Sequence, residues 1–269
     1  MKKTFLLSLF AASTLAAASS GDVKIDGTDK LVTHTELSYV QTEGNTDTAA
    51  FALDFAGKKA WGVTSLGLDV DAIYGTQDNI ENKNRVIGEL NLDYKLTDRF
   101  ALNYVAGYKT DKFSGFDYQF YTGPGFKYIA VDTKAHHLDF KGNLLYSIDQ
   151  GSDKYYDINS SDEIKYPYPD GKSNTTKTDG TYSDGYGYMV ALNYYWQITQ
   201  NFKFLQEASY RSGFDNPKNY FVVSKTGIES KLSDMLSMGV SYKINYTNLP
   251  PAGNELTDKT LLISLIIDY

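Results

Sequence analysis

Three histidines, His34, His136 and His137, are the side chains of this sequence whose type suits a general base near neutral pH. Their spacing does not match a zinc site. Cysteine is absent, which excludes a thiolate metal centre, a cysteine nucleophile and a disulfide scaffold. A second set is larger and of mixed sign. Glu36, Asp54, Asp69, Asp71, Arg85, Glu89, Asp93, Asp117, Lys127, Asp139, Lys141, Lys203, Glu207, Arg211, Lys225, Glu229 and Lys243 fall on the face opposite the apolar one. Charges of both signs gathered on one face can line an aqueous path and select ions or small solutes. They can equally pair across neighbouring strands and fill that path. The principal lining candidates are Glu36, Arg85, Glu89, Asp93, Lys127, Asp139, Lys141, Glu207, Arg211 and Lys243, and no cofactor or metal is expected.

Such residues need elements to hold them, and the composition says which kind. The 269 residues are 42% hydrophobic and 14% aromatic, with 23 Tyr and 14 Phe against 4 Met. Aromatic and β-branched residues suit a pleated, half-buried surface, so strands are favoured over helices. A formal net charge of -7 argues against nucleic acid as a partner, because no basic patch is available for phosphates. Lys2 and Lys3 precede an apolar run ending in Ala16-Ala17-Ala18, the pattern of a secretory signal, so residues 1–18 are read as an export signal and 19–30 as an N-terminal periplasmic segment. No apolar run reaches the ~20 residues of a spanning helix.

From Leu31 onward apolar residues recur at every second position in segments of strand length. Val86, Leu90, Leu92 and Tyr94 fall on one face while Arg85, Glu89, Asn91 and Asp93 fall on the other. Phe100, Leu102, Tyr104, Ala106 and Tyr108 repeat the pattern opposite Arg99, Asn103 and Lys109. Similar segments follow, and Leu205, Phe221 and Val223 break the parity in two of them. Twelve segments are expected in all, including Leu31 to Gln41, Thr48 to Phe55 and Trp61 to Tyr74. The connections alternate in length. Short turns are expected at Gly57 to Ala60, Thr97-Asp98, Val131 to Ala135, Thr199 to Asn201 and Ser233-Asp234. Longer loops are expected at Thr42 to Asp47, Gly75 to Asn84, Asp111 to Gly115, Gly151 to Ser183, Gly213 to Asn219 and Thr247 to Asp258.

Alternating short turns and long loops, an even strand count and an apolar outer face together specify an all-β, antiparallel up-and-down barrel of the outer-membrane type over residues 31–269, with both termini periplasmic. Closure follows from hydrogen bonding, since an open edge in hydrocarbon would leave backbone groups unpaired. Tyr94, Phe100, Tyr128, Trp196, Phe202 and Tyr269, near segment ends, are candidates for an interfacial girdle. Leu261, Ile263, Leu265, Ile267 and Tyr269 alternate to the last residue, an ending similar to the C-terminal signature that the outer-membrane barrel-assembly machinery recognises. Expected partners are therefore that machinery, outer-membrane lipid and lipopolysaccharide; the oligomeric state has no signal in the sequence.

The segment Gly44-Asn45-Thr46-Asp47-Thr48 and the run from Thr97 to Tyr128, with Asp111 to Tyr118 as its most specific element, resemble the YdiY-like family of outer-membrane proteins. The resemblance covers most of the mature chain and is densest between Leu37 and Gln150. It implies a barrel and an association with salt stress, and it supplies no catalytic residues. The stretch Gly151 to Ser183 is longer than the family's usual connection.

In a barrel of this register His34 and His137 point inward near the periplasmic end. An outer-membrane phospholipase needs a serine and its histidine on the outer wall and a barrel protease needs Asp-His pairs at the external rim; none of the histidines lies at that rim, so no enzyme is expected. The Gly151 to Ser183 loop is rich in acids and tyrosines without the spacing of a calcium loop, and reads as solvated, mobile surface. A narrow channel for ions or small solutes, or a structural envelope-stress component, is the function expected. The alternative is a barrel that binds an ion, glycan or partner through that loop.

Overall fold

The structure, a computed structural model, describes residues 31–42, 47–157, 163–164, 175–250 and 255–269. The expected export signal and the segment 19–30 lie outside the described residues. In chain order the strands are β1 (Leu31–Thr42), β2 (Thr48–Trp61), β3 (Thr64–Gln77), β4 (Ile80–Lys95), β5 (Phe100–Asp111), β6 (Phe116–Asp132) and β7 (His136–Gly151). Three short strands follow, β8 (Lys154–Asp157), β9 (Glu163–Ile164) and β10 (Thr175–Thr178). The chain continues with β11 (Tyr182–Gln197), β12 (Phe202–Gly213), β13 (Tyr220–Lys231), β14 (Leu236–Thr247) and β15 (Thr257–Asp268).

Twelve of these close one antiparallel barrel in sequence order, with β7 pairing β11 directly and β15 pairing β1. The closing pair is short, joining His34–Ser38 to Asp268–Ser264, whereas β1 pairs β2 along its whole length. The expected faces are borne out. Val86, Leu90, Leu92, Leu102, Leu144, Val190, Val240, Leu261 and Ile263 are all exposed on the outer wall. An apolar exterior over a charged interior is the inverse of a soluble sandwich and fits a wall that meets lipid. Tyr94, Phe100, Tyr128, Trp196, Phe202 and Tyr269 form an exposed aromatic belt at the short-turn end, as expected. A second belt lies at the other end, where the rings of Tyr188, Tyr210, Tyr220 and Tyr246 follow one another at 5.9, 5.4 and 5.7 Å across β11 to β14, the last two pairs stacked.

Three of the short turns share one chemistry. The Thr97 hydroxyl accepts the Phe100 amide at 3.0 Å, the Thr133 hydroxyl the His136 amide at 2.9 Å, and the Thr199 hydroxyl the Phe202 amide at 3.1 Å. Each hydroxyl satisfies a backbone donor that the sheet leaves unpaired where it reverses direction.

Three connections differ from expectation. Gly57 to Ala60 is not a turn but the interior of β2, which runs on to Trp61; the reversal comes at Gly62, whose φ of 56° suits glycine. Gly57 and Lys59, at outward positions where the strand otherwise carries Phe55 and Trp61, interrupt the apolar signal there. Gly75 to Asn84 is not a loop either, because β3 and β4 extend to a two-residue reversal at Asp78 and Asn79, with φ of 49° and 63°. Asp and Asn visit that backbone more readily than other residues that carry a Cβ, and the Asp78 carboxylate accepts the Asp47 amide at 3.0 Å. The stretch Gly151 to Ser183, expected to carry no structure of its own, holds a three-stranded sheet in the order β10-β8-β9.

Candidate functional site

The lumen is where the sequence concentrates chemistry, and its central feature is a chain of six charges alternating in sign. Glu36, Asp54 and Asp71 are register partners on β1, β2 and β3, so three acids stand side by side. Lys225 and Lys243 are likewise register partners on β13 and β14. Like charges facing each other on neighbouring strands are destabilising, and each row is neutralised from elsewhere in the ring. Lys225 bonds Glu36 and reaches Asp54 at 3.3 Å. Lys243 grips Asp54 at 2.6 and 2.7 Å and also bonds Asp71, to which Arg85 donates at 3.0 Å. The two lysines therefore bridge strands that are not sheet neighbours, while Arg85 and Asp71 pair across the neighbouring β4 and β3, so the expected pairing across neighbouring strands is only part of the network. β15, between the two rows, presents the small neutral residues Thr260 and Ser264. Pairs between sheet neighbours do occur elsewhere, as between Lys203 and Glu229 at 2.9 Å.

Toward the short-turn end Asp139 gathers Lys127 at 3.6 Å, His137 at 3.2 Å and the Asn193 amide at 3.0 Å. Lys58 lies 3.8 Å from Asp93, which accepts from Asn103 at 2.6 Å. Lys141 donates to Asn91 at 3.1 Å, and Asn91 donates to Glu89 at 2.8 Å. Toward the loop end the Arg211 guanidinium sits between the rings of Tyr121 and Phe221, 4.9 and 4.4 Å from their centroids, and 3.5 Å from Asp149. Tyr121 donates to Glu89 at 2.6 Å, and Tyr195 to Glu207 at 2.8 Å. The Tyr121 ring lies on Gly107, where a Cβ would come within 2.1 Å of its Cζ, and it packs against Val105, Leu145 and Met189.

Between these layers lies a cavity of about 290 Å³ lined by Glu36, Arg85, Glu89, Lys141, Glu207 and Lys243 among others. Asp93, Lys127 and Asp139 are buried in the interior below it, and Arg211 lies over the ring of Tyr121, which lines it, so all ten principal candidates face the lumen. Asp117, by contrast, is exposed at the start of β6. Sequence reasoning missed Lys58, Asp111 and Asp149, all buried. Lys58 was hidden in the stretch read as a turn, while Asp111 and Asp149 keep the inward parity of their strands and could have been found from it.

Both inward histidines are held by carboxylates on both ring nitrogens. His34 engages Asp268 through Nδ1 at 2.8 Å and Glu36 through Nε2 at 3.1 Å. His137 engages Asp132 at 3.5 Å and Asp139 at 3.2 Å. His136 points outward and stacks on Tyr194 and Trp196 at 6.1 and 5.8 Å. Ligating atoms of His34, Glu36 and Glu229 lie within 4.8 Å of one another, a grouping invisible to sequence spacing because β13 reaches β1 only once the barrel closes.

Several solved outer-membrane barrels have a comparable course of chain. The NanC porin is 12% identical, covering 88% of this chain and 97% of its own, with a TM-score of 0.44. The translocator domain of the autotransporter NalP from Neisseria meningitidis is 9% identical, covering 91% and 90%, with a TM-score of 0.42. The KdgM porin is 8% identical, covering 89% and 98%, with a TM-score of 0.40. No curated protein matches the chain in sequence. The family model described as "Protein of unknown function, DUF481" matches residues 35–269, nearly the whole barrel, and the chain belongs to that family, the YdiY-like family its sequence resembles.

Proposed function

We propose that the protein is a narrow, non-enzymatic outer-membrane channel for small ions or solutes, held nearly shut at rest by the bridging ion pairs of its lumen. The observation that carries this reading is the six-charge chain from Glu36 to Arg85 beside a cavity of about 290 Å³. A barrel that only had to stand could fill its interior with apolar side chains, because buried ion pairs are commonly no more stabilising than hydrophobic residues of similar volume. Charges that meet across the lumen instead form a polar constriction through which a permeating ion can exchange partners.

In this reading the short-turn rim, with both ends of the barrel, faces the periplasm. The outer wall meets lipid and lipopolysaccharide, and β15 with Tyr269 is the strand offered to the barrel-assembly machinery. Planar-bilayer recording on the refolded chain tests the channel directly. Discrete conductance steps are expected, with ion selectivity that shifts toward cations in Lys225→Met. Silence from a barrel whose electrophoretic mobility still changes on heating would overturn it.

The sheet formed by β8, β9 and β10 favours a second reading, since a connection with its own strands offers a surface for an ion, a glycan or a partner. Deleting that segment separates the two: conductance survives in a channel, and ligand binding disappears in a receptor.

A further inference from the structure

We propose that His34, Glu36 and Glu229 form a binding site for a divalent transition-metal ion, of the zinc or cobalt class, at the short-turn end of the lumen. Their ligating atoms lie within 4.8 Å of one another, and all three residues are buried and line the central cavity. One imidazole and two carboxylates suit a borderline cation, and a three-residue set leaves coordination positions open to water or a solute.

Two further observations point to a ligand. The Glu229 side chain is only 6% exposed, and its Oε1 has no hydrogen-bond partner, while its other oxygen bonds Lys203 at 2.9 Å. A buried carboxylate oxygen without a partner costs free energy unless something fills the place beside it. The second observation is the posture of His34. Its Nδ1 is held by Asp268 at 2.8 Å, and its Nε2 hydrogen bonds Glu36 Oε1 at 3.1 Å, a contact that a cation between the two would replace. A carboxylate fixing one imidazole nitrogen so that the other faces a cation is the recurrent support of metal-bound histidine. Asp268 is thus a positioning residue. Lys225 shares Glu36, and a carboxylate has enough lone pairs to serve both a lysine and a cation.

Cobalt(II) provides the probe, added to the chelator-treated, refolded full-length barrel. One ion per chain should bind saturably, with visible absorption bands. Glu229→Gln should lose this binding while keeping heat-modifiable mobility, and Asp268→Asn should weaken it about 10- to 100-fold. His137→Asn, at the other carboxylate-held histidine, should leave it unchanged. Should Glu229→Gln fail to fold, X-ray absorption on the zinc-loaded wild-type protein decides instead, and one imidazole among oxygen ligands is expected. No saturable binding by the wild type, equal binding by Glu229→Gln, or a first shell without imidazole would each overturn the site. The channel reading stands or falls on conductance, so the two fail independently.

Discussion

Lys243 illustrates what a single side chain does in this lumen. Its ammonium is shared by Asp54 and Asp71, which are half-buried register partners and would otherwise be left to Lys225 and Arg85 alone. Removing one partner from a buried ion pair costs about 3–5 kcal/mol, so Lys243→Met should lower the unfolding free energy by that order in a urea titration. Adding Asp54→Asn to the same chain should restore part of the loss. Tyr121 makes a different contribution, because its ring lies across the lumen on Gly107 and supports Arg211. Tyr121→Ala should raise single-channel conductance several-fold, and an unchanged step size would show that the constriction lies elsewhere. The sequence told which residues point inward, since parity alone decides that. It did not tell that Lys225 and Lys243 meet acids on β1, β2 and β3, because those contacts depend on how the closed sheet curves.

Elements were legible wherever large and polar residues alternate, and least so where small ones replace them. Thr97, Thr133 and Thr199 marked turns because their hydroxyls bond the amides two and three residues on. Polar runs misled between Gly75 and Asn84, where the hairpin is extended and the reversal needs only Asp78 and Asn79. A left-handed backbone costs a β-branched residue roughly 1–2 kcal/mol per position. The double variant Asp78→Val, Asn79→Val should therefore lower stability by about 2–4 kcal/mol in the same titration, and Asn79→Gly should be neutral or stabilising. Two other turns carry exposed ion pairs, Lys95 with Asp98 at 2.8 Å and Lys231 with Asp234 at 2.9 Å. Each lysine holds its neighbour's carboxyl below the ordinary carboxylate range. The small contribution of these pairs is thus present above the unfolded value and lost as pH falls through the lowered one.

For the whole molecule, the ring and the segment between Gly151 and Tyr182 are separable. β7 and β11 pair from Gln150 with Tyr182 down to His136 with Trp196 without help from the intervening sheet. Replacing residues 153–179 by a short Gly-Ser turn should leave a closed barrel whose mobility still shifts on heating; a band that no longer shifts would show that the segment is needed for closure. Strand count and faces were readable because lipid and water impose opposite demands on alternate residues, whereas the small sheet was not, because its short strands carry no such pattern. The seam between β1 and β15 has a consequence for the order of the chain. The Thr33 amide donates to the Tyr269 carbonyl at 3.4 Å, so the two ends of the ring already touch. A circular permutant that starts at Tyr182, ends at Gly151 and joins Tyr269 to Leu31 by a short linker would keep every barrel pairing while burying the native last strand mid-chain. Such a molecule would test whether β15 must end the chain, as the proposed recognition by the assembly machinery requires, or need only stand as a stave in the wall.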